Sequence, residues 1–292
     1  MNDKVLVVGA AGLLGSSLSP HLERAGFVVV RHGLTAAAVQ VRFDLNDAVR
    51  THEALEAIQP DVIVNLAALT NVDLCEAEPH QAYLGNVCGV ENLSRWILAR
   101  GRGCFLLHIS TDHLYDGPGP HREEDIHLTN YYAFSKYTAE SMVARVGGIV
   151  LRTNFFGRSL SNRRKSFSDW VVESLTERKP IHAVHDILFS PLSLPTLVEH
   201  IEAVIRRRAA GLFNLGSRDG FSKADFIFKL ANTLQLATDQ VSLIESGRLF
   251  TKTYRPKDMR MDVGRFEGHF GVELPSLESE IRRMKECYHV CP

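Results

Sequence analysis

Residues 5–15 constrain what this chain can fold into more than any other stretch. Val5 to Val8 is an apolar run without alternation, the pattern of a strand buried on both faces. It runs straight into Gly9-Ala-Ala-Gly12-Leu-Leu-Gly15, after which Leu18 and Leu22 recur at helical spacing. Strand, glycine turn and helix in that order give a glycine motif its meaning. The turn must be tight, its backbone must approach a diphosphate, and the helix must pack close to the sheet. Each demand excludes a Cβ. The helix start then presents unbonded N–H groups and the positive end of its dipole. Gly9, Ala11, Gly12, Leu13, Leu14 and Gly15 are therefore expected to line a dinucleotide site. The spacing is G-x-x-G-x-x-G, with Ala11 where the G-x-G-x-x-G pattern has its middle glycine.

Strand-like and helix-like segments continue to alternate. Residues 27–30 and 39–43 read as strands two and three, 48–58 as a helix ended by Pro60, and 61–68 as strand four entering a small-residue turn. A helical stretch covers 79–100, strand five 104–109, a helix 131–146 and strand six 149–151. This rhythm predicts an α/β fold with a doubly wound parallel sheet of the Rossmann type, with ligands at the carboxyl ends of the strands. Residues 1–154 are expected to form the dinucleotide-binding domain, with 180–216 returning to it. Residues 155–179 and 217–292 are expected to form a smaller C-terminal substrate lobe. Within that later region, 170–177 and 191–207 read as helices and 212–215 as a last short strand. Arg31 ends strand two, and the nearest acids, Asp44 and Asp47, come well after it. An arginine there accommodates the 2′-phosphate of NADP, whereas an acid suits the 2′-hydroxyl of NAD. NADP(H) is thus favoured over NAD(H), with Asp44, Leu45, Ala67 and Ala68 placed beside the cofactor.

Composition closes off several classes of function. The 33 Lys and Arg nearly balance the 34 Asp and Glu, which leaves no basic footprint for nucleic acid. Five cysteines without a C-x-x-C point to reduced thiols in a cytoplasmic protein; Cys287 and Cys291 read as a frayed terminal helix. No apolar run approaches the ~18 residues of a membrane span, and a strand starting at once leaves no room for a signal peptide. His182-x-x-His185 lacks a third ligand at a readable spacing, so no metal is expected. Arg158, Arg163, Arg164 and Lys165 form a local basic cluster, read as a solvated loop.

The second informative constellation is Tyr132-x-x-x-Lys136. On a helix, i and i+4 share a face. A nearby cation lowers the tyrosine pKa, and such a phenol can hand a proton to a carbonyl oxygen as hydride reaches its carbon. Ser110-Thr111 ends a central strand about twenty residues earlier, where a hydroxyl could bond the same oxygen.

At these residues the chain resembles the extended short-chain dehydrogenase/reductases, and within them the dTDP-4-dehydrorhamnose reductase family. The resemblance is carried by the glycine turn, Asn65-Leu-Ala-Ala68, Thr70-Asn-Val-Asp73 with Cys75-Glu76 and Asn86, and Tyr132/Lys136. It is carried also by Arg255-Pro256 with Asp262 and, most specifically, by Ser110-Thr-Asp-His-Leu-Tyr-Asp-Gly117. It implies reduction of the 4-keto group of a nucleotide-linked 4-keto-6-deoxy sugar. Thr111, Tyr132 and Lys136 carry over as the catalytic set: Tyr132 as acid, Lys136 on the nicotinamide ribose, Thr111 on the sugar carbonyl. Asp73, Thr111, Asp112, Asn154 and Arg255 carry over as substrate contacts. Asn154 stands where the family commonly has Trp, and Asp186-Ile-Leu-Phe-Ser-Pro-Leu192 replaces its D-Q-x-G-x-P-T segment, so a different deoxysugar is open. The alternatives are a nucleotide-sugar epimerase or dehydratase, and a catalytically silent dinucleotide-binding regulatory subunit. A nucleotide-sugar substrate is the expected partner, with a homodimer as a further option.

Overall fold

The computed structural model describes residues 2–34, 39–101, 103–161 and 164–288; Arg163 and Cys291 lie outside them. The chain divides into two compact units. One comprises Met1–Ser110, Asn130–Leu151 and Val198–Leu212, the other Thr111–Thr129, Arg152–Leu197 and Phe213–Pro292. Residues 111–129, 152–154, 180–197 and 213–216, assigned to the dinucleotide-binding domain from the sequence, cluster with the second unit.

The main sheet is built from β1 (Lys4–Val8), β2 (Val28–His32), β3 (Val62–Asn65), β4 (Phe105–Thr111), β5 (Ile149–Thr153) and β6 (Gly211–Leu215), in the order β6-β5-β4-β3-β1-β2. β1 pairs in parallel with both β2 and β3, and β3 with β4. The succession of strands therefore reverses direction at β1, the switch point where doubly wound sheets take their ligands. Val8, Asn65 and His108 stand side by side in the ladders, so the ends of β1 and β3 are level with His108, and β4 runs three residues further, to Thr111. The apolar runs that predicted β1 and β3 are fully buried, whereas β2 exposes Val28. Leu6, Val8, Ile63 and Leu106 pack with Leu55, Leu93, Trp96 and Val143 in one core.

One local expectation needs correction, and a second gains detail. The run 39–43 does not form a strand: Val41 makes a single parallel bridge to His32. The Gln40 side chain accepts from the Arg31 N–H, and the Phe43 ring sits on His32 with its carbonyl accepting from the imidazole at 2.9 Å. Such local contacts end the ladder after one rung. The stretch 79–100 is helical, as expected, but composite. An α turn (Pro79–Tyr83) and a long α-helix (Gly89–Arg100) are joined by a π turn at Leu84–Cys88. There the Asn86 amide brackets Leu69, accepting from its N–H at 2.7 Å and donating to its carbonyl at 3.2 Å.

The second unit has its own core, in which Phe156, Phe189, Phe226, Leu230, Ile281 and Met284 are buried together. Phe156 and Phe226 meet edge to face at 4.8 Å. Its strands are short: Phe155–Phe156 pairs with Leu192–Ser193, and Leu188–Phe189 with Phe221–Ser222. Ile181–Val184 pairs in parallel with Val241–Ile244. Residues 212–215 are therefore not the last strand. Well-capped helices offset the brevity of the strands; Ser166 and Asp169 form a reciprocal capping box at the start of Phe167–Thr176.

Candidate functional site

In the first unit the glycine turn has the shape its sequence requires. Gly9 has φ +80°, and a Cβ there would lie 3.1 Å from the Ala67 amide nitrogen. At Gly15 a Cβ would come within 2.5 Å of the Gly9 carbonyl oxygen and 2.6 Å of the Ala10 Cα. β1, its turn and the turn after β3 are thus in direct contact. Gly12 caps the α1 helix (Leu13–Arg24) in an extended conformation, with no side-chain cap and no acid in the first turn. The N–H groups of Leu13, Leu14 and Gly15 have no carbonyl within the helix to bond, which suits an anion. Ala11, Ala67 and Ala68 flank this cradle with minimal side chains. The cradle fits a dinucleotide diphosphate.

The residues expected beside an adenosine have partners of their own. The Arg31 guanidinium donates to Glu23 at 2.7 Å. Asp44 turns its carboxylate onto the Asn46 N–H at 2.9 Å. The Leu45 carbonyl accepts from Asn92 at 2.7 Å.

Asn130 caps the Tyr131–Arg145 helix, accepting from the Ala133 N–H at 2.9 Å. This sets the turn on which Tyr132 and Lys136 both point inward, whereas neighbouring Tyr131 is 47% exposed. Tyr132 packs with Leu69, Val72, Cys75 and Ala82. Lys136 is 2% exposed. Its ammonium nitrogen lies 2.8 Å from the Ile109 carbonyl and 3.2 Å from His108 Nε2. Burial pulls its pKa down to about 8, against Glu140, which pulls it back up. Ser110 donates to Glu140 at 2.6 Å, so this hydroxyl is engaged. Asp73 lies in the first turn of the Val72–Ala77 helix, capped by Asn71.

In the second unit, Thr111 Oγ1 accepts from the His113 N–H at 3.2 Å and meets the Asp112 carboxylate at 3.3 Å. Asn154 donates to the other Asp112 oxygen at 2.7 Å. Burial lifts the Asp112 pKa to about 6, with Asn154, Lys223 and Thr111 opposing. Thr111, Asp112 and Asn154 therefore form one bonded group. The Arg255 guanidinium stacks on Phe250 at 5.1 Å and donates to the Thr253 carbonyl at 2.9 Å. Its charge and that of Lys223 add to burial in pulling His113 down to about 3. Other candidates have structural partners. Asp186 accepts from Ser246 and Lys257, Asp116 from Tyr254 and Lys257, and His182 bonds Ser242. Lys165 pairs with Glu173. No cluster of metal-ligating groups occurs among the described residues, and no helix among them is long and apolar enough to cross a membrane.

Sequence reasoning missed His108, Glu140 and Lys223. For His108 a signal was present: one imidazole inside the apolar run Phe105-Leu-Leu-His-Ile must be buried, and a buried imidazole needs partners.

The chain is similar to known proteins along most of its length. Residues 3–289 match the family model described as the RmlD substrate binding domain. The chain is 28% identical over 257 residues to a dTDP-4-dehydrorhamnose reductase of Sinorhizobium fredii, covering 83% of this chain and 85% of the relative. It is 27% identical to methionine adenosyltransferase 2 subunit beta of Pongo abelii, covering 91% and 82%. The crystal structure of a Bacillus anthracis dTDP-4-dehydrorhamnose reductase in complex with NADP superposes with a TM-score of 0.86 at 23% identity, covering 97% of this chain and 99% of that one.

Proposed function

The chain belongs to the RmlD substrate-binding-domain family, and from that premise we propose that it is an NAD(P)H-dependent reductase acting on the 4-keto group of a nucleotide-linked 4-keto-6-deoxy sugar. The observation that carries this reading is the pairing of Tyr132 with a buried Lys136 on one helix face. Lys136 is anchored to Ile109 on β4, one residue past the rung that is level with the β1 end from which the glycine turn departs. The Gly9–Gly15 turn would hold the dinucleotide diphosphate, and Lys136 its nicotinamide ribose. When bound, the reduced nicotinamide supplies the hydride. Tyr132 donates its phenolic proton to the C4 oxygen, and Lys136 stabilises the phenolate left behind. Thr111 donates a hydrogen bond to the same oxygen. Asp73, Asp112, Asn154 and Arg255 are the proposed sugar-nucleotide contacts. With Asn154 at a position where a Trp is common, the sugar pocket differs from the usual one. NADP(H) is the preferred cofactor on the strength of Arg31, which would exchange Glu23 for the 2′-phosphate. A cytoplasmic homodimer completes the reading.

The test is NADPH oxidation against a panel of nucleotide-linked 4-keto-6-deoxy sugars, with NADH in parallel. Tyr132→Phe should lose about 10²–10⁴-fold in turnover while keeping cofactor affinity. Release of NADP+ at every turnover separates a reductase from an epimerase or dehydratase. Cofactor binding without turnover on any sugar would overturn the proposal. It would favour the reading as a catalytically silent dinucleotide-binding subunit, beside which stands the likeness to the protein named methionine adenosyltransferase 2 subunit beta.

A further inference from the structure

A buried hydrogen-bonded line runs from the turn after β3 to Lys136. The Ala67 N–H donates to Asn65 Oδ1 at 3.2 Å. That bond fixes which way the Asn65 amide points, so its NH₂ faces His108 Nδ1, 3.1 Å away. An NH₂ can only donate, so Nδ1 must be the accepting nitrogen. Asn65 and His108 are both 1% exposed, and burial holds the imidazole well below its usual pKa, hence neutral with one proton. With Nδ1 accepting, that proton sits on Nε2, aimed at the Lys136 nitrogen 3.2 Å away. An ammonium has three N–H groups and no lone pair. A neutral amine has the lone pair to accept from Nε2–H and still donates to the Ile109 carbonyl at 2.8 Å.

We infer that Asn65 and His108 are positioning residues that fix the imidazole tautomer and so favour the neutral amine of Lys136, making Lys136 a proton carrier rather than a permanent cation. The charged and titratable groups around Lys136 are His108 on β4 and Tyr132 and Glu140 on its own helix. Glu140, itself held by Ser110, favours the ammonium; the His108 N–H opposes it. The two together poise Lys136 so that both protonation states are reachable near neutral pH. The proton balance follows, resting here on the reading of Tyr132 as the acid. Tyr132 gives one proton to the substrate oxygen and becomes a phenolate. An ammonium at Lys136 returns one proton to that phenolate and becomes the amine that accepts from His108. Solvent water supplies the proton that recharges it, and no electrons move.

The test uses the ligand-free chain, so it does not depend on reductase activity. Long-range ¹H–¹⁵N correlation spectra report the tautomer of each imidazole, with the His108 signals identified by their loss in His108→Gln. The expected result is a neutral Nε2–H tautomer across about pH 6–9 and a Lys136 ¹⁵Nζ titration midpoint at or below about 8. In Asn65→Asp the carboxylate accepts from Nδ1–H, the tautomer flips, and Nε2 offers Lys136 a lone pair. The midpoint should then rise by about one pH unit or more. An Nδ1–H tautomer or an imidazolium in the wild-type chain, or a Lys136 midpoint near the ordinary value of about 10.4, would overturn the inference. The wild-type spectrum decides this even if the variant does not fold. A chain inactive on every sugar but showing the expected tautomer would sink the proposed function alone.

Discussion

Each unit buries a cation, and the two are handled in opposite ways. Arg152, in the second unit, is 1% exposed. It donates to the Tyr115 hydroxyl at 2.8 Å and the Glu123 carbonyl at 2.7 Å, and its guanidinium lies 5.5 Å from the centre of the Tyr115 ring. Tyr115 in turn donates to Asn214 at 2.6 Å, and Asn214 to the His121 carbonyl at 3.0 Å. Tyr115 and Glu123 both accept from, and the Tyr115 ring also faces, a charge that cannot be lost, because guanidinium stays protonated. Lys136 has one carbonyl and an imidazole that offers it a proton. The difference teaches that a buried cation is a fixture when its neighbours are acceptors. It becomes a switch when one neighbour is a donor and the side chain can titrate.

The largest effect expected from this contrast is on stability. Arg152→Met should cost about 3 kcal/mol or more, since it leaves buried acceptors without their donor. Lys136→Met should stay within about 1 kcal/mol at pH 7, because it also removes a buried ammonium. Urea unfolding of both variants checks this, and equal losses would break the contrast. A somewhat smaller effect is the pH dependence of Lys136. Its folded pKa of about 8 lies below the unfolded value of about 10.4. The unfolded chain therefore binds more protons between these values, and stability should rise with pH across that window by up to about 3 kcal/mol relative to Lys136→Met. A constant difference between the two proteins over pH 8–10 would place the folded and unfolded values together.

Asp112 asks whether the second unit also holds a switch. Its folded pKa of about 6 lies above the unfolded value of about 3.9. Its contribution is then complete below about pH 4 and lost as pH rises through 6. Wild type should lose about 2 kcal/mol over that range relative to Asp112→Asn, as thermal melts at both ends would show. The smallest effect belongs to the half-exposed Arg31–Glu23 pair. Arg31→Gln should change stability by less than about 1 kcal/mol while weakening NADPH binding several-fold more than NADH binding. Fluorescence titration with both nucleotides gives the ratio, and an unchanged ratio would remove Arg31 from cofactor choice.

How much could be read in advance follows the same division. β1 and β3 were legible because a strand buried on both faces admits little but Val, Ile and Leu. The glycine turn was legible because close backbone approach leaves no other residue type. Tyr132 and Lys136 were legible because i,i+4 spacing on a helix is a distance in space. The failures are places where a side chain decides the backbone. Gln40 and the Phe43–His32 contact cut short a strand that 39–43 predicts, and the π turn at Asn86 lies inside a stretch whose pattern shows only that it is helical. In the second unit, pairs as short as Phe155–Phe156 and Leu192–Ser193 carry no periodicity to detect. The Asp112–Asn154 and Arg152–Tyr115 partnerships join residues 42 and 37 positions apart, a separation no local pattern reports.

The π turn at Leu84–Cys88 bears on how such a chain can change over generations. A π turn holds one residue more than the α-helical turn it replaces. Deleting a single residue there would not break the helix; it would let 79–100 close as uninterrupted α. The flanking segments would keep their register, because one wide turn becomes one ordinary turn, and only the residues of the turn itself would shift. The Asn86 amide would leave Leu69, and the segment after β3 would lose its bracket. Helix content by circular dichroism would barely register the lesion. Gain or loss of one codon at this point is thus a single genetic step that leaves the secondary structure intact while re-aiming an asparagine.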